Sequence, residues 1–229
     1  MSNSYKIEKI QGNDVFLDFF ETKHLKVLRK KKDDVIFGLD GLGNIYKIKL
    51  TQITPKYSKG KIIELKKYFK PLPYINLYIS SIKWKRLKIA IEKATEISVS
   101  SIHIFRSKFS NIKYDSEKID KFKTTVTEAA KQSLNPFFPE IFFHDYDPVV
   151  NEGLNIVCDL NGIKLKKIEN EIIESKTINV FIGPEGGFSE EDFNFINNPK
   201  RVKISSNILK AETASIHIIT ILNYLTNRV

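Results

Sequence analysis

The apolar run Val180-Phe181-Ile182 stops at Gly183-Pro184, and three of the chain's ten glycines fall at Gly183, Gly186 and Gly187. Proline cannot extend a strand ladder, and glycine reaches backbone conformations closed to other residues. This punctuation therefore ends a buried strand in a loop of bare backbone that a ligand can approach closely. Ser189 follows as a candidate N-cap, with Glu190, Glu191 and Asp192 in the first helical turn, where acidic residues favour the dipole. A second stretch repeats the pattern. Val202-Lys203-Ile204 reads as a short strand, Ser205-Ser206-Asn207 as a polar bend, and a helix starts near Glu212. Successive strand–loop–helix units build open α/β sheets with a ligand crevice at the carboxyl ends of the strands. Two ordinary tight turns remain the alternative. No phosphate-loop or dinucleotide-fingerprint spacing is present.

The 229 residues suffice for one large domain or two smaller ones. The net charge of +10 is uneven: residues 1–70 hold 16 basic and 8 acidic side chains, and residues 71–229 hold 21 and 19. A basic N-terminal third beside a near-neutral remainder fits a module that meets a polyanion, joined to one with another task; a lysine-rich surface without a partner is the alternative. Cys158 is the only cysteine, which excludes an intramolecular disulfide and a cysteine metal cluster. His24, His103, His144 and His217 lack ligand spacing, so no metal is expected. No signal-peptide pattern opens the sequence, and no apolar run approaches the roughly 18 residues of a membrane span. The expectation is a soluble, cytoplasmic protein.

In chain order, Asp14–Phe19, Asp34–Leu39 and Asn44–Leu50 read as short strands of a small β-barrel. Between the first two, Lys23–Lys32 carries six basic residues, with Leu25 and Leu28 able to anchor a helical turn. This is the candidate phosphate-contacting patch. Lys56–Lys70 adds six lysines, and Pro71-Leu72-Pro73 marks a domain boundary. Tyr74–Ser80 is a strand, and Lys83–Ile97 a helix with Trp84, Leu87, Ile91, Ala94 and Ile97 as its buried stripe and Arg86 and Lys93 on another face. Ile102–Phe105 is a strand with Arg106 at its carboxyl end. Asp115 or Ser116 caps a helix to about Leu134, after which Phe137-Phe138 looks exposed between two prolines. Ile156–Leu160 and Thr177–Ile182 are strands, and Lys164–Ser175 is a surface helix. The last helix is apolar on several sides, which suggests a second subunit as well as its own sheet.

The run Gly183-Pro184-Glu185-Gly186-Gly187-Phe188-Ser189, followed by Ile208-Leu209-Lys210-Ala211-Glu212-Thr213-Ala214, resembles the ribosomal RNA small-subunit methyltransferase E family. That family belongs to the SPOUT class of knotted, S-adenosylmethionine-dependent RNA methyltransferases. Further likeness lies at His24, Leu25, Val27, Leu28 and Arg29, at Lys93–Val99, at Arg106-Ser107, and at Glu128, Ala129 and Gln132. The resemblance implies an α/β fold: a knotted SPOUT-type methyltransferase domain over 73–229, with a trefoil knot, preceded over 1–70 by a small PUA-like β-barrel that binds RNA. It implies a homodimer that methylates N3 of a uridine in 16S rRNA of the small ribosomal subunit. The cofactor-binding residues it implies are Leu160, Ile182, Gly183, Pro184, Glu185, Gly186, Gly187, Ile204, Asn207, Ile208, Leu209, Thr213 and Ala214. Arg106, Lys210 and Glu212 are the implied catalytic group, with Glu212 an orienting carboxylate or proton acceptor and Glu185 bonded to neighbouring loop N–H groups. Lys23, His24, Lys26, Arg29 and Lys30 are the candidate RNA contacts.

The chain also departs from the family pattern. Ser98 replaces a helix-ending glycine, which predicts a less sharply set end. Ser205 replaces a glycine, and Asn135, Asn207 and Lys210 stand where the family carries arginines, so bidentate contacts there are lost. These losses leave open a non-catalytic RNA-binding assembly factor of the same fold. An enzyme acting on another nucleotide is disfavoured by the missing phosphate-loop lysine.

Overall fold

The computed structural model describes residues 4–110, 112–144, 150 and 152–228. It divides into two compact units, Met1–Lys70 with Thr127–Phe138, and Pro71–Val126 with Pro139–Val229.

The first unit contains β1 (Ser4–Lys6), β2 (Lys9–Gln11), β3 (Asp14–Leu17), α1 (Phe19–Val27), β4 (Val35–Leu39), β5 (Asn44–Ile53) and β6 (Ser58–Lys67). They form one six-stranded sheet in the order β1-β4-β5-β6-β3-β2. Tyr5, Val15, Leu17, Leu25, Ile36, Ile48 and Leu50 make its core. The strand expected to reach Phe19 stops at Leu17, because the Asp18 carboxylate accepts the Glu21 N–H at 2.8 Å and starts α1. Leu25 is buried while Lys23 and Lys26 are exposed, as the basic segment's pattern predicts. The lysine-rich 56–70 stretch is largely β6, a strand that sequence reading missed. Its inward positions near the start are Ser58 and Gly60, so smallness rather than apolarity marks the buried face. Within this unit the Lys131 ammonium is buried and bonded to Glu21 and Glu128 at 2.7 Å each. Phe137 and Phe138 are half-buried rather than exposed, since their rings lie against Gly43 and Gly41.

The second unit contains β7 (Tyr74–Ser80), α2 (Trp84–Glu96), β8 (Ser101–Phe105), the first part of α3 (Ser116–Ser133), β9 (Glu140–His144), β10 (Leu154–Lys164), α4 (Glu169–Glu174), β11 (Thr177–Ile182), β12 (Lys200–Lys203) and α5 (Ala211–Leu225). Its six strands run in the order β12-β10-β11-β7-β8-β9, with every pairing parallel. A parallel sheet is covered on both faces, so its central strands read as unbroken apolar runs; Ile178, Val180, Phe181 and Ile182 are all buried. β10 continues to Lys164 instead of ending at Leu160. The helix expected over Lys164–Ser175 divides into a 3-10 turn, Leu165–Ile168, and the short α4.

Ser98 does not loosen the end of α2. It takes a left-handed φ of 62°, its N–H reaches the Thr95 carbonyl, and the Val99 N–H reaches the Ala94 carbonyl, both at 3.1 Å. These are the paired bonds of a Schellman cap. The Ile97 and Ser98 carbonyls accept from Asn223 and Arg228 of the C-terminal segment, which holds a non-glycine residue in this conformation.

A row of amides crosses the sheet at one level. Asn155 pairs in register with Asn179, Asn179 with Asn76, and Asn76 with Ser101. The Asn76 amide donates to Asn179 at 2.9 Å, and the Asn179 amide to Asn155 at 2.8 Å. The Ser101 hydroxyl donates to Asn76 at 2.8 Å and lies 2.9 Å from His103 Nε2. His103 Nδ1 is in turn 3.1 Å from His144 Nε2.

Two outcomes follow. Asn179→Ala removes the acceptor of the Asn76 amide N–H and the donor to the Asn155 amide oxygen, and is expected to cost about 3 kcal/mol in urea unfolding. His103 is held down to about 4, from an ordinary 6.5, by burial and by His144. The folded state thus binds fewer protons than the unfolded chain, so its contribution is full above pH 6.5 and is lost as pH falls toward 4. Unfolding free energies from urea titrations at pH 7.5 and 5.0 are expected to differ by about 1–2 kcal/mol after allowance for partial solvent access, and His103→Phe is expected to remove most of that difference.

Candidate functional site

β11, β10 and β12 are neighbours and parallel, so their carboxyl ends open on one edge of the second unit. β10 pairs with β12 in two stretches, Ile156–Cys158 and Ile163–Lys164, with the register shifted between them. Residues 159–162 therefore bulge out of the ladder. Gly162 permits this: a Cβ there would sit 2.5 Å from the Val202 nitrogen and 2.6 Å from the Arg201 carbonyl. Beside it, β11 ends at Ile182 and the chain turns through Gly183–Gly187, closed by the Gly187 N–H on the Pro184 carbonyl at 2.9 Å. Gly187 holds φ at +74°, a conformation that disfavours side chains. Ser189 is the expected N-cap, with a reciprocal capping box to Asp192. The helix it starts is a six-residue 3-10 segment, Glu190–Phe195.

These turns, with the segment from Ile204 to Ala211, line a cleft of about 620 Å³, within the range of small-molecule sites. Leu160, Ile182, Gly183, Pro184, Glu185, Gly186, Gly187, Ile204, Asn207, Ile208, Leu209 and Ala214 all line it, and so does Lys210. Thr213 does not, and is exposed. Arg106 lies exposed beyond β8 and is also outside the lining. Glu212 sits behind the wall with 12% of its side chain accessible.

Two arginines that sequence reading did not place in the site are there. Arg201 donates to Asp159 at 2.7 Å and to Glu190 at 3.2 Å, and its guanidinium lies 4.7 Å over the Phe193 ring. It ties β12 to the β10 bulge and to the segment after the glycine turn. Arg86, on α2, donates from Nη1 to Glu185 at 2.5 Å, and its Nε lies 3.9 Å from Glu212 Oε1. Glu185 thus meets a guanidinium rather than the loop N–H groups expected of it, because a charge-assisted bond is the stronger option. The other oxygen, Glu212 Oε2, is buried with no hydrogen-bond partner among the described residues. Lys93, read as sharing the face of Arg86, pairs instead with Glu92 and Glu96 at 2.8 Å.

Cys158 also lines the cleft, but burial pushes its thiol up to about 12, so it is no nucleophile at neutral pH. Among the described residues there is no cluster of three metal-ligating side chains, and no helix long and apolar enough to cross a membrane. In the first unit, Lys23, Lys26 and Arg29 are exposed, while His24 and Lys30 are half-buried. The His24 ring lies 5.2 Å from the Tyr5 ring. Asn135, where the family has an arginine, is buried and accepts the Phe137 N–H at 3.0 Å.

Residues 70–223 match the RNA methyltransferase domain family. The ribosomal RNA small subunit methyltransferase E of Aquifex aeolicus is 32% identical over 224 residues, spanning 94% of this chain and 96% of its own length. The chain belongs to the ribosomal RNA small subunit methyltransferase E family. Among solved structures, a predicted RNA methyltransferase from Thermotoga maritima is 28% identical, with a TM-score of 0.81 over 99% of this chain and all of its own. A family member from Neisseria gonorrhoeae, solved bound to S-adenosyl methionine, shares the fold with a TM-score of 0.83 at 22% identity, over 98% of each chain.

For this family member the β10 bulge is the part of the cleft most exposed to a single added carbon. Gly162→Ala drives a methyl into the Val202 backbone and is expected to cost about 2 kcal/mol or more in denaturant unfolding. Gly187→Ala, with open space around its Cβ, is expected to cost only the backbone strain of about 1 kcal/mol.

Proposed function

We propose that this chain transfers a methyl group from S-adenosylmethionine to N3 of a uridine in 16S rRNA of the small ribosomal subunit. The observation that carries the reading is the convergence of the Gly183–Phe188 turn and the Ile204–Ala211 segment on one cleft at the carboxyl ends of three parallel strands. Leu160, Ile182, the glycine turn, Ile204, Asn207, Ile208, Leu209 and Ala214 would hold the methyl donor, largely through backbone groups. When bound, that donor supplies an electrophilic methyl group on a sulfonium centre. The protein's own tasks are alignment, exclusion of water and stabilisation of the charge that appears when N3 gives up its proton. Lys210, exposed at the mouth, and Arg106, exposed beyond β8, would meet RNA phosphate; Glu212 would orient its neighbours rather than take the proton, since it is nearly covered.

The same reading assigns the first unit to RNA binding as a PUA-like barrel, with Lys23, His24, Lys26, Arg29 and Lys30 as contacts, and the second unit to catalysis as a SPOUT domain with a trefoil knot. It makes the protein a cytoplasmic homodimer, with α5 contributing to the interface. Ile216, Ile221 and Leu225 are half-buried there, and Tyr224 is 73% exposed. The test has two steps. Calorimetric titration with S-adenosylmethionine is expected to show micromolar binding. Incubation of protein and labelled donor with small subunits lacking the modification is expected to yield an N3-methylated uridine by mass spectrometry. Tight donor binding with no transfer would replace this reading with a non-catalytic assembly factor.

A further inference from the structure

The clearest electrostatic feature of the cleft is a cation held by two carboxylates. Arg86 comes from α2, Glu185 from the glycine turn and Glu212 from the first turn of α5, so three separate elements converge on one guanidinium. Nη1 is fixed by Glu185 and Nε faces Glu212. Nη2 has no acceptor among the described residues, and the side chain lines the cleft. The other cations near the cleft are less suited to meet a ligand. Arg201 is spent on Asp159, Glu190 and the Phe193 ring. Lys210 is an exposed ammonium at the start of α5 with no side-chain bond among the described residues. Arg106 does not line the cleft.

We infer that Arg86 is the catalytic cation of this site, donating from its free edge to a carbonyl oxygen of the target base, with Glu185 and Glu212 as its positioning residues. The inference rests on the uridine-N3 reading above and deepens it. Uracil N3–H lies between two carbonyl groups. As the N3–H bond breaks, its proton passes to solvent water and its electron pair stays on the ring, shared with both carbonyl oxygens. That pair then forms the N–CH3 bond while the C–S bond of the donor returns its own pair to sulfur. The negative charge on oxygen exists only around the transition state, so a donor already fixed nearby stabilises that state more than the ground state. A guanidinium suits the task because it stays charged at every working pH and presents N–H groups in a rigid plane. The two carboxylates supply the rigidity. Buried Glu212 Oε2, with no hydrogen-bond partner among the described residues, gives Glu212 an electrostatic need for the cation that keeps the trio together.

The test compares Arg86→Ala, Arg86→Lys and Glu185→Gln with the unaltered protein, on small subunits lacking the modification. Donor binding by calorimetry and thermal unfolding are measured alongside. Loss of one such donor is worth about 10²- to 10³-fold in kcat, so Arg86→Ala is expected to fall by that factor, with donor affinity changed less than about threefold and subunit KM little altered. Arg86→Lys keeps the charge without the fork and is expected to lie between the two. Added guanidinium chloride, at millimolar concentration well below denaturing levels, is expected to restore part of the Arg86→Ala rate, which a merely structural role would not permit. Glu185→Gln is expected to lower kcat modestly. An active unaltered protein together with folded, donor-binding Arg86→Ala and Arg86→Lys at near-normal kcat overturns the inference and leaves the uridine reading standing. Failure of the unaltered protein to methylate uridine overturns both.

Discussion

The register of the parallel sheet decides where each strand releases into its loop, and the amide row at Asn155, Asn179, Asn76 and Ser101 sets that register. Apolar side chains alone would tolerate a slip, because Ile, Val and Leu fill neighbouring positions on these strands interchangeably. Buried amides would not: a shift by one residue turns each toward the opposite face, and each orphaned amide costs more than a methylene misfit. Ile182, the last residue of β11, lies three positions after Asn179. The amide level therefore fixes the height at which the glycine turn leaves the sheet, and with it the floor of the cleft.

Above that floor, backbone and charge do different work. The β10 bulge needs a residue without a Cβ where Gly162 meets the Val202 and Arg201 backbone, and the glycine turn lines the cleft with Gly183, Gly186 and Gly187. The charged groups mostly lock one element to another: Arg201 staples β12 to the bulge, and Arg86 gathers α2, the glycine turn and α5. In the first unit, the buried Lys131 held by Glu21 and Glu128 plays a comparable part, and burial pushes the Glu21 carboxyl above its ordinary range. Much of the excess positive charge lies elsewhere, on the exposed lysines of α1 and β6.

What could be read from the sequence was whatever a local rule expresses. β7 and β11 announced themselves as apolar runs, the Ser189 cap by its acidic followers, and the two loops of the cleft by their motifs. Sequence reading went astray where a tertiary partner settles the outcome. β6 has small residues facing inward because Ile48 packs against Gly60, and a lysine-rich strand gives no apolar alternation to detect. Asp18 was one polar residue within an apolar stretch until its cap made it the start of α1. The asparagines of the amide row read as ordinary polar residues, since only their alignment across three strands gives them meaning. Arg86 was visible as a helix-face residue, but its two carboxylate partners lie about 100 and 126 positions away in the chain. Ser98 shows the opposite case, a missing glycine whose conformation is enforced by bonds from the C-terminal segment.

A binding wall made of peptide groups has little chemical vocabulary to vary. Every residue but proline contributes the same N–H and C=O, so point substitution in such a wall can spoil a fit but offers few ways to retune preference from one small molecule to another. Diversification in this architecture is thereby pushed onto the side chains at the rim, such as Arg86 and Lys210, and onto the module joined to it. A cleft walled by main chain is conservative by construction, and the side chains around it are free to change.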